Sequence, residues 1–474
     1  MFQISNAWSD RRRLGSCETS TRGSQDGLLD NQEDNFGWKN SLDFLASTFA
    51  FTLSSHSLLS LPVVVLNHGG LAFLLLYAAL LVIIGFPLIL LEMFLGQYSS
   101  MSPGILFHHL CPLLVGLGPA LCLQAGLRAI LQLSMLMWTS QAMYQVFQQM
   151  EVGETIFSEE YLNPEYLSLA NIGSMDMQCV LILGIVSAIT FLVIVGGIQF
   201  IGNICKLCVP TCFLVMVTLT IRTCLASGGS SGVSTFLTPD WTILTEPSTW
   251  LVASCQVIFS LNIGCGGVTV YASYNKYHYN IVRDSIILIV AHLLWVLQAV
   301  VLSFSLLGVA GVPQTSGIQT IQLGMAAIQE GWLWLGLLFI LLILLALSSL
   351  LGFLQVIITS IIHFKPHFKH FYPLISLIVM CVIFIFSLAL TIPSGIHFHK
   401  MLYSHVSTIP VLIISLLTVL AIILSHGIKF LMEDISEMIM FILPYWFTSN
   451  LSSVLYTLLP WFLVVCIQVI IMFQ

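Results

Sequence analysis

The chain has 474 residues, of which 58% are hydrophobic and only 7% are charged. A soluble domain carries roughly 25% charged residues because its surface faces water, so this composition excludes an ordinary soluble protein. The net charge of −7 and the scattered basic residues also argue against a nucleic-acid-binding surface. We therefore predict that the lipid bilayer is the solvent of most of the chain.

Apolar runs recur along the chain, each long enough to cross a bilayer, which takes about 20 residues. Together they predict an all-α polytopic membrane protein. The predicted spans lie at residues 44–66, 71–97, 113–147, 177–198, 201–226, 250–273, 284–312, 331–363, 371–393, 406–429 and 452–473.

The polar segment 1–43 precedes the first predicted span and carries the arginine cluster Arg11, Arg12 and Arg13. It has no apolar signal-peptide core, and its composition is typical of a disordered tail. Placing this tail in the cytoplasm puts most of the 14 Lys and Arg residues on the cytoplasmic side, as the positive-inside rule requires. We expect a cytoplasmic tail over 1–43 and a membrane domain over 44–474, in the plasma membrane or an intracellular vesicle.

The first predicted span is unusually polar. From Thr48 to Pro62 it reads TFAFTLSSHSLLSLP, which places four serines and His56 at mid-to-outer membrane depth. Polar groups at that depth are tolerated only where protein or a water-filled cavity surrounds them. This pattern predicts a broken helix that faces the interior of the protein.

The sixth predicted span carries a similar run through its centre, from Ser260 to Gly267, with the sequence SLNIGCGG. Glycines also serve as packing residues in membrane helices, and for this span alone that alternative stays open. Helices one and six, however, each begin a unit of five helices, 1–5 and 6–10. Matched breaks are typical of transporters built as inverted repeats around a midplane site, so we predict an inverted five-helix repeat with an eleventh helix added.

Several short motifs surround the two breaks and continue along the chain. They comprise Trp38 with Leu42-Asp-Phe44, Pro62 with His68-Gly-Gly-Leu-Ala-Phe73, Gly85-Phe-Pro87, Glu92 with Gly96-Gln-Tyr98, Pro239-Asp-Trp241, Gln256 with Phe259-Ser260, and Ala272-Ser-Tyr-Asn-Lys276 with Arg283-Asp284. In combination they resemble the sodium:neurotransmitter symporter family, solute carrier family six, from Trp38 to about Pro460. Ala346-Leu-Ser-Ser349 with Gly352 and Gln355, and Pro393-Ser-Gly395, are most similar to its vertebrate orphan branch.

The resemblance implies a transporter domain over 44–474 and not an enzyme. The implied activity is sodium-coupled uptake of a small zwitterionic solute, similar to an amino acid or a neurotransmitter. Two alternatives stay open. The chain could be a non-transporting accessory or regulatory protein that keeps the fold beside a membrane partner, or it could provide a proton-linked or leak pathway through His56, His292 and His363.

The resemblance also implies ion sites, and we expect one bound sodium ion. Carbonyl and hydroxyl oxygens suit this hard cation, and the first sodium set comprises Ala50, Leu53, Leu345, Ser348 and Ser349. The second sodium set, in which both asparagine ligands of the family are replaced, is expected to be degraded and comprises Thr52, Ser57, Ser260 and His292. Chloride binding stays open; its half-preserved set is Tyr77, Gln256 and Ser260.

The expected substrate set lies between the two breaks and comprises Leu53, Ser54, His56, Ser57, Gln132, Ser260, Asn262 and Gly264. By the dipole argument, the substrate carboxylate meets backbone amides at a half-helix N-terminus. The charged gates of the family are absent, since Ser60 and Thr418 stand at the outer pair and Asn35 and His363 at the inner pair. Because both partners of each pair are replaced, no charge is left stranded.

Glu92 and Arg128 are charged residues in the interior of predicted spans. By the resemblance, Glu92 braces the unwound part of helix six through hydrogen bonds. Arg128 in the third span either faces the pore, where it can bind an anionic group, or extends toward a face of the membrane. We expect the second arrangement.

Overall fold

The computed structural model describes residues 37–152, 175–311, 325, 328, 331–392, 394–407, 409–440, 448–449 and 451–455. These residues form helices, short tight turns and connecting loops, with no strand among them, and the all-α prediction is confirmed. Most of the predicted tail 1–43 and of the last predicted span 452–473 lies outside the described residues.

The helices of the first half of the chain are α1 (Ser41–Thr52), α2 (Ser55–Leu59), α3 (Leu61–Asn67), α4 (Leu71–Leu80), α5 (Phe86–Ser99), α6 (Pro103–Leu110), α7 (Leu117–Val152), α8 (Met177–Val195) and α9 (Gly197–Leu225). A π-helical turn, Leu81–Gly85, joins α4 to α5 without interrupting the rod. Such turns insert one extra residue into a helix.

The helices of the second half are α10 (Gly229–Phe236), α11 (Pro247–Ser260), α12 (Gly267–Ser273), α13 (Ile281–Ala310), α14 (Gly331–Phe364), α15 (Tyr372–Leu388), α16 (Gly395–Ser407), α17 (Ile409–Ser425) and α18 (Ile428–Met438). Most of the central helix α14 is buried inside the protein. It packs along α7 and against α1 and α12, so it lies beside both predicted breaks.

Eight helical segments of the described residues are long and apolar enough to cross a membrane, or nine if the bent pair at the start is one span. The eight segments correspond to predicted spans two to five and seven to ten, and the bent pair corresponds to the first. The sixth predicted span, 250–273, is divided instead into α11 and α12. The chain is therefore a multi-pass membrane protein by the length and composition of its helices.

The tenth predicted span, 406–429, is wrong at both ends. The helical segment begins earlier, at Gly395. The sequence did not reveal this start because α16 is too polar to read as part of an apolar span. It ends at Ser425, because Gly427 adopts φ of 79° and turns the chain into the amphipathic helix α18. The ninth span likewise ends at Leu388, before the predicted residue 393.

Helices α5 and α12 approach each other closely. A Cβ atom added to Gly96 in α5 would lie only 2.1 Å from the carbonyl oxygen of Thr269 in α12. Only glycine permits this approach, and the contact fixes α12 against α5.

Candidate functional site

Helix one is interrupted at Leu53 and Ser54, between α1 and α2. The helical pieces on either side are bent by 47°. Side chains from other helices satisfy carbonyls that the break frees, since Ser348 Oγ donates to the Ala50 carbonyl at 3.0 Å and the Asn262 amide to the Phe51 carbonyl at 2.7 Å. Beside the break, Thr52 Oγ1 donates to the Phe49 carbonyl at 2.9 Å and Ser57 Oγ to the Ser54 carbonyl at 2.7 Å. Leu53 and Ser54 are 1% and 5% exposed, so the irregular backbone lies inside protein, as it must at membrane depth. The first predicted break is confirmed.

Helix six is interrupted between Ser260, the last residue of α11, and Gly267, the first of α12. The connection contains three left-handed residues, Asn262 at φ 54°, Gly264 at 75° and Gly266 at 74°. Glycine adopts this conformation freely, whereas asparagine is one of the few other residues that tolerate it. The second predicted break is confirmed.

The two breaks are bonded to each other and to α5. The Asn262 side-chain amide donates to the Phe51 carbonyl in the last turn of α1 at 2.7 Å. From the other side, Glu92 Oε1 accepts from the Gly264 backbone N–H at 2.8 Å. Glu92 therefore has the bracing contact that the sequence predicted.

The residues of the first sodium set are all buried and largely brought together. The Ser348 hydroxyl donates to the carbonyls of Ala50 and Leu345, both at 3.0 Å, and the Ser349 hydroxyl donates to Leu345 at 2.9 Å. Leu53 follows three residues after Ala50, at the break. Because hydroxyl protons are given to carbonyls, the hydroxyl lone pairs stay available to a hard cation. This donor set fits sodium.

The second sodium set is engaged elsewhere. Ser57 accepts from Trp295 Nε1 at 3.1 Å in addition to its bond to the Ser54 carbonyl. His292 Nε2 lies 3.2 Å from the Tyr77 hydroxyl, and its Nδ1 is buried with no hydrogen-bond partner. Few oxygen lone pairs are left for a cation, and the imidazole offers nitrogen. The residues present do not fit sodium well.

The chloride set is divided in two. The Tyr77 hydroxyl lies 2.7 Å from Ser260 Oγ, so these two members meet. Gln256, the third, is instead bonded to His56, whose Nε2 donates to Gln256 Oε1 at 2.8 Å. The other imidazole nitrogen, Nδ1, accepts from the Tyr403 hydroxyl at 2.5 Å. His56 therefore ties helix one to α11 and α16, and Tyr403 is a site residue that the sequence analysis missed.

Arg128 contradicts the sequence-based expectation. It is 7% exposed, and its Nη1 donates to Asn262 Oδ1 at 2.9 Å, so the guanidinium points at the break in helix six and does not extend to a membrane face. The cause is the face of α7 on which it lies. Gln124 donates to the Val406 carbonyl at 2.7 Å, and Gln132 to Ser55 Oγ at 3.4 Å. Residues four apart share a helix face, and this i, i+4 spacing was the signal for an inward polar stripe.

Thr418 and His363, two of the uncharged gate residues, bond to groups outside the gate pairs. Thr418 donates to the Ile414 carbonyl of its own helix at 2.8 Å, and Ser60 ends α2. At the end of α14, His363 Nδ1 accepts from the Ser102 backbone N–H at 2.9 Å. Asn35 lies outside the described residues.

A bundle of apolar helices in which two helices unwind against each other in the interior defines the class of membrane transporters with discontinuous helices. Comparison with family models identifies the family within this class, because the model of the sodium:neurotransmitter symporter family matches residues 36–164 and 148–474. The chain belongs to the sodium:neurotransmitter symporter family. Members of this family are transporters and not enzymes.

Known relatives are similar over most of the chain. The sodium- and chloride-dependent GABA transporter 2 of Rattus norvegicus is 24% identical over 92% of this chain and 80% of the relative. The sodium-dependent acetylcholine transporter of Caenorhabditis elegans is 24% identical over 89% and 68%. The sodium- and chloride-dependent glycine transporter 1 of Xenopus laevis is 23% identical over 92% and 78%.

Proposed function

We propose that this protein is a sodium-coupled secondary transporter that takes up a small amino-acid-like or neurotransmitter-like solute. Its N-terminus faces the cytoplasm, and the protein resides in the plasma membrane or an intracellular vesicle. Membership of the family supports this proposal. So do the relatives that are named as transporters of GABA, acetylcholine or glycine.

The observation that carries the proposal is the cluster of oxygens between α1 and α14. Ser348 Oγ reaches the Ala50 carbonyl across the two helices at 3.0 Å, next to Ser349 and the first break. An ion held there contacts both the unwound helix and α14. Its binding free energy can therefore bias the conformation of the break, which is what coupling requires.

The proposed stoichiometry is one sodium ion. The second sodium set contributes little, because Ser57 and His292 are bonded to Trp295 and Tyr77. Chloride binding is left to Tyr77 and Ser260, since Gln256 is bonded to His56.

The solute lies between the two breaks, bounded by Leu53–Ser57 on one side and Ser260–Gly264 on the other. Its carboxylate meets the backbone amides at the N-terminus of the half-helix Ser55–Asn67, where the positive end of the helix dipole points. Among the predicted substrate residues, Ser54 supports this placement, because its hydroxyl is buried with no hydrogen-bond partner.

The test is sodium-dependent thermal stabilisation of the purified protein, with choline chloride as the reference salt so that chloride is constant. Sodium is expected to raise the apparent Tm of the wild type, and Ser349→Ala is expected to abolish the increase. Ser376→Ala is the matched control, because Ser376 is equally buried and bonds a carbonyl of its own helix at 2.8 Å, away from the cluster. If no cation raises the apparent Tm, the proposal fails and a non-transporting accessory role is favoured.

A proton-linked pathway is the second candidate. It is favoured by two hydrogen-bonded clusters that each include a residue of α11. One joins Tyr403, His56 and Gln256, and the other joins His292, Tyr77 and Ser260. A pH-dependent current that is abolished by His292→Asn supports this candidate over sodium coupling.

A further inference from the structure

Arg128 is the only buried Lys or Arg among the described residues. Its Nη1 donates to Asn262, but Nε and Nη2 are buried with no hydrogen-bond partner. A buried charge without a counter-charge is strongly unfavourable, because the interior replaces none of the lost hydration. The guanidinium therefore lacks an anion.

No described acidic residue supplies that anion. Among the buried acids, Asp43 pairs with Lys206 at 2.6 Å, Asp284 with Arg283 at 2.9 Å and Asp434 with His426 at 2.6 Å. The remaining buried acid, Glu92, accepts from the Gly264 backbone N–H and forms no ion pair with Arg128.

The two unpartnered nitrogens of Arg128 lie on the same edge of the guanidinium plane. Nε and Nη2 present two parallel N–H groups, whereas Nη1, on the opposite side of the group, is used by Asn262. This edge matches the two oxygens of a carboxylate in a two-pronged hydrogen-bonded pair. The bond to Asn262 fixes the orientation of the group.

The guanidinium lies beside the proposed solute site. Asn262, which holds Arg128, also bonds the Phe51 carbonyl, so the guanidinium is tethered between the two breaks. One turn along α7, Gln132 reaches Ser55 at the start of α2. We propose that Arg128 binds a second carboxylate of the solute, so that the substrate class is acidic, amino-acid-like solutes with two carboxylates. This inference rests on the proposed function, which assigns the first carboxylate to the N-terminus of the half-helix Ser55–Asn67.

The experiment measures the apparent Tm of the full-length purified protein in sodium against increasing concentrations of aspartate, glutamate and succinate. Each acid is matched with its amide, namely asparagine, glutamine or succinamate, which keeps the shape and lacks the second charge. For at least one pair, the half-saturating concentration of the acid is expected to be at least about tenfold lower than that of its amide. A difference of this size corresponds to one hydrogen bond to a charged group.

Variants assign the preference to Arg128. Arg128→Gln is expected to remove the preference for the acid, and Arg128→Lys, which keeps the charge but not the paired N–H groups, to weaken it. Gln124→Met is the matched control, because Gln124 lies one turn away on the same face and bonds the Val406 carbonyl. It is expected to keep the preference. Should the Arg128 variants fail to fold, the acid-against-amide comparison in the wild type still decides.

Three outcomes would overturn the inference: acid and amide stabilise equally, no member of the panel stabilises the wild type, or sodium chloride and sodium sulfate produce the Arg128-dependent stabilisation without any organic acid. In the last case the edge holds an inorganic anion. The proposed function is judged separately by the sodium response and its loss in Ser349→Ala. A sodium response without acid preference therefore refutes this inference alone.

Discussion

Glu92 holds the unwound part of helix six, and replacing it with leucine is expected to destabilise the protein. Glu92 is 5% exposed, and its Oε1 accepts from the Gly264 backbone N–H at 2.8 Å. Leucine removes the acceptor and leaves that N–H buried without a partner, which costs about 1–3 kcal/mol. Glutamine keeps a carbonyl oxygen in the same place, so Glu92→Gln is expected to stay close to the wild type.

Thermal unfolding of the purified protein in detergent, followed by tryptophan fluorescence, measures the difference. Glu92→Leu is expected to lower the apparent Tm by several degrees and to accelerate hydrogen exchange in the segment 261–266. An unchanged apparent Tm for Glu92→Leu refutes the reasoning. So does a Glu92→Gln variant that is as unstable as Glu92→Leu, because the acceptor oxygen would then not be the stabilising feature.

Two further predictions concern helices outside the site and use the same unfolding measurement. Asp176 caps α8 by accepting from the Gln178 N–H at 2.9 Å, and its hydrogen bonds, first that from Cys179, hold the pKa of the Asp176 carboxyl below its ordinary 3.8. Asp176→Ala is expected to cost about 1 kcal/mol at neutral pH, and the difference should disappear as pH falls through this lowered pKa; Asp176→Asn should keep the cap throughout. A Cβ on Gly232 would lie 2.0 Å from a carbonyl oxygen of α13, so Gly232→Ala is expected to destabilise by about 1–3 kcal/mol. Gly184→Ala, where a Cβ meets nothing within 4 Å, is expected to stabilise α8 by roughly 0.5–1 kcal/mol.

The helices and both breaks were predictable because the bilayer imposes a simple rule. Backbone polar groups in lipid must be bonded internally, so long apolar runs predict helices, and serines or glycines in mid-span predict irregular backbone inside protein. Ser54 and Asn262 were found in this way. The start of α16 was not, because His397, His399 and Lys400 make that helix too polar to register as a span.

Which site residues meet was less predictable, because it depends on side-chain direction and on partners distant in sequence. Tyr403 bonds His56 across 347 positions, and no local pattern marks that pair. Arg128 carried a signal in its i, i+4 spacing with Gln124 and Gln132, but only the packing of α7 shows which way that stripe points. The ion sets stay predictions, although Ser348 and Ala50 do come into contact.

The approach of Gly96 to Thr269 limits how the transporter can rearrange. Because α5 and α12 are held backbone against backbone there, and Glu92 bonds Gly264 a turn away, α12 cannot pivot on its own. Helices α5 and α12 must move together as one rigid body. A change between outward and inward openings that moves α11 relative to α12 therefore bends the backbone at Leu261 and Asn262. These residues come just before Gly264, whose N–H is bonded to Glu92.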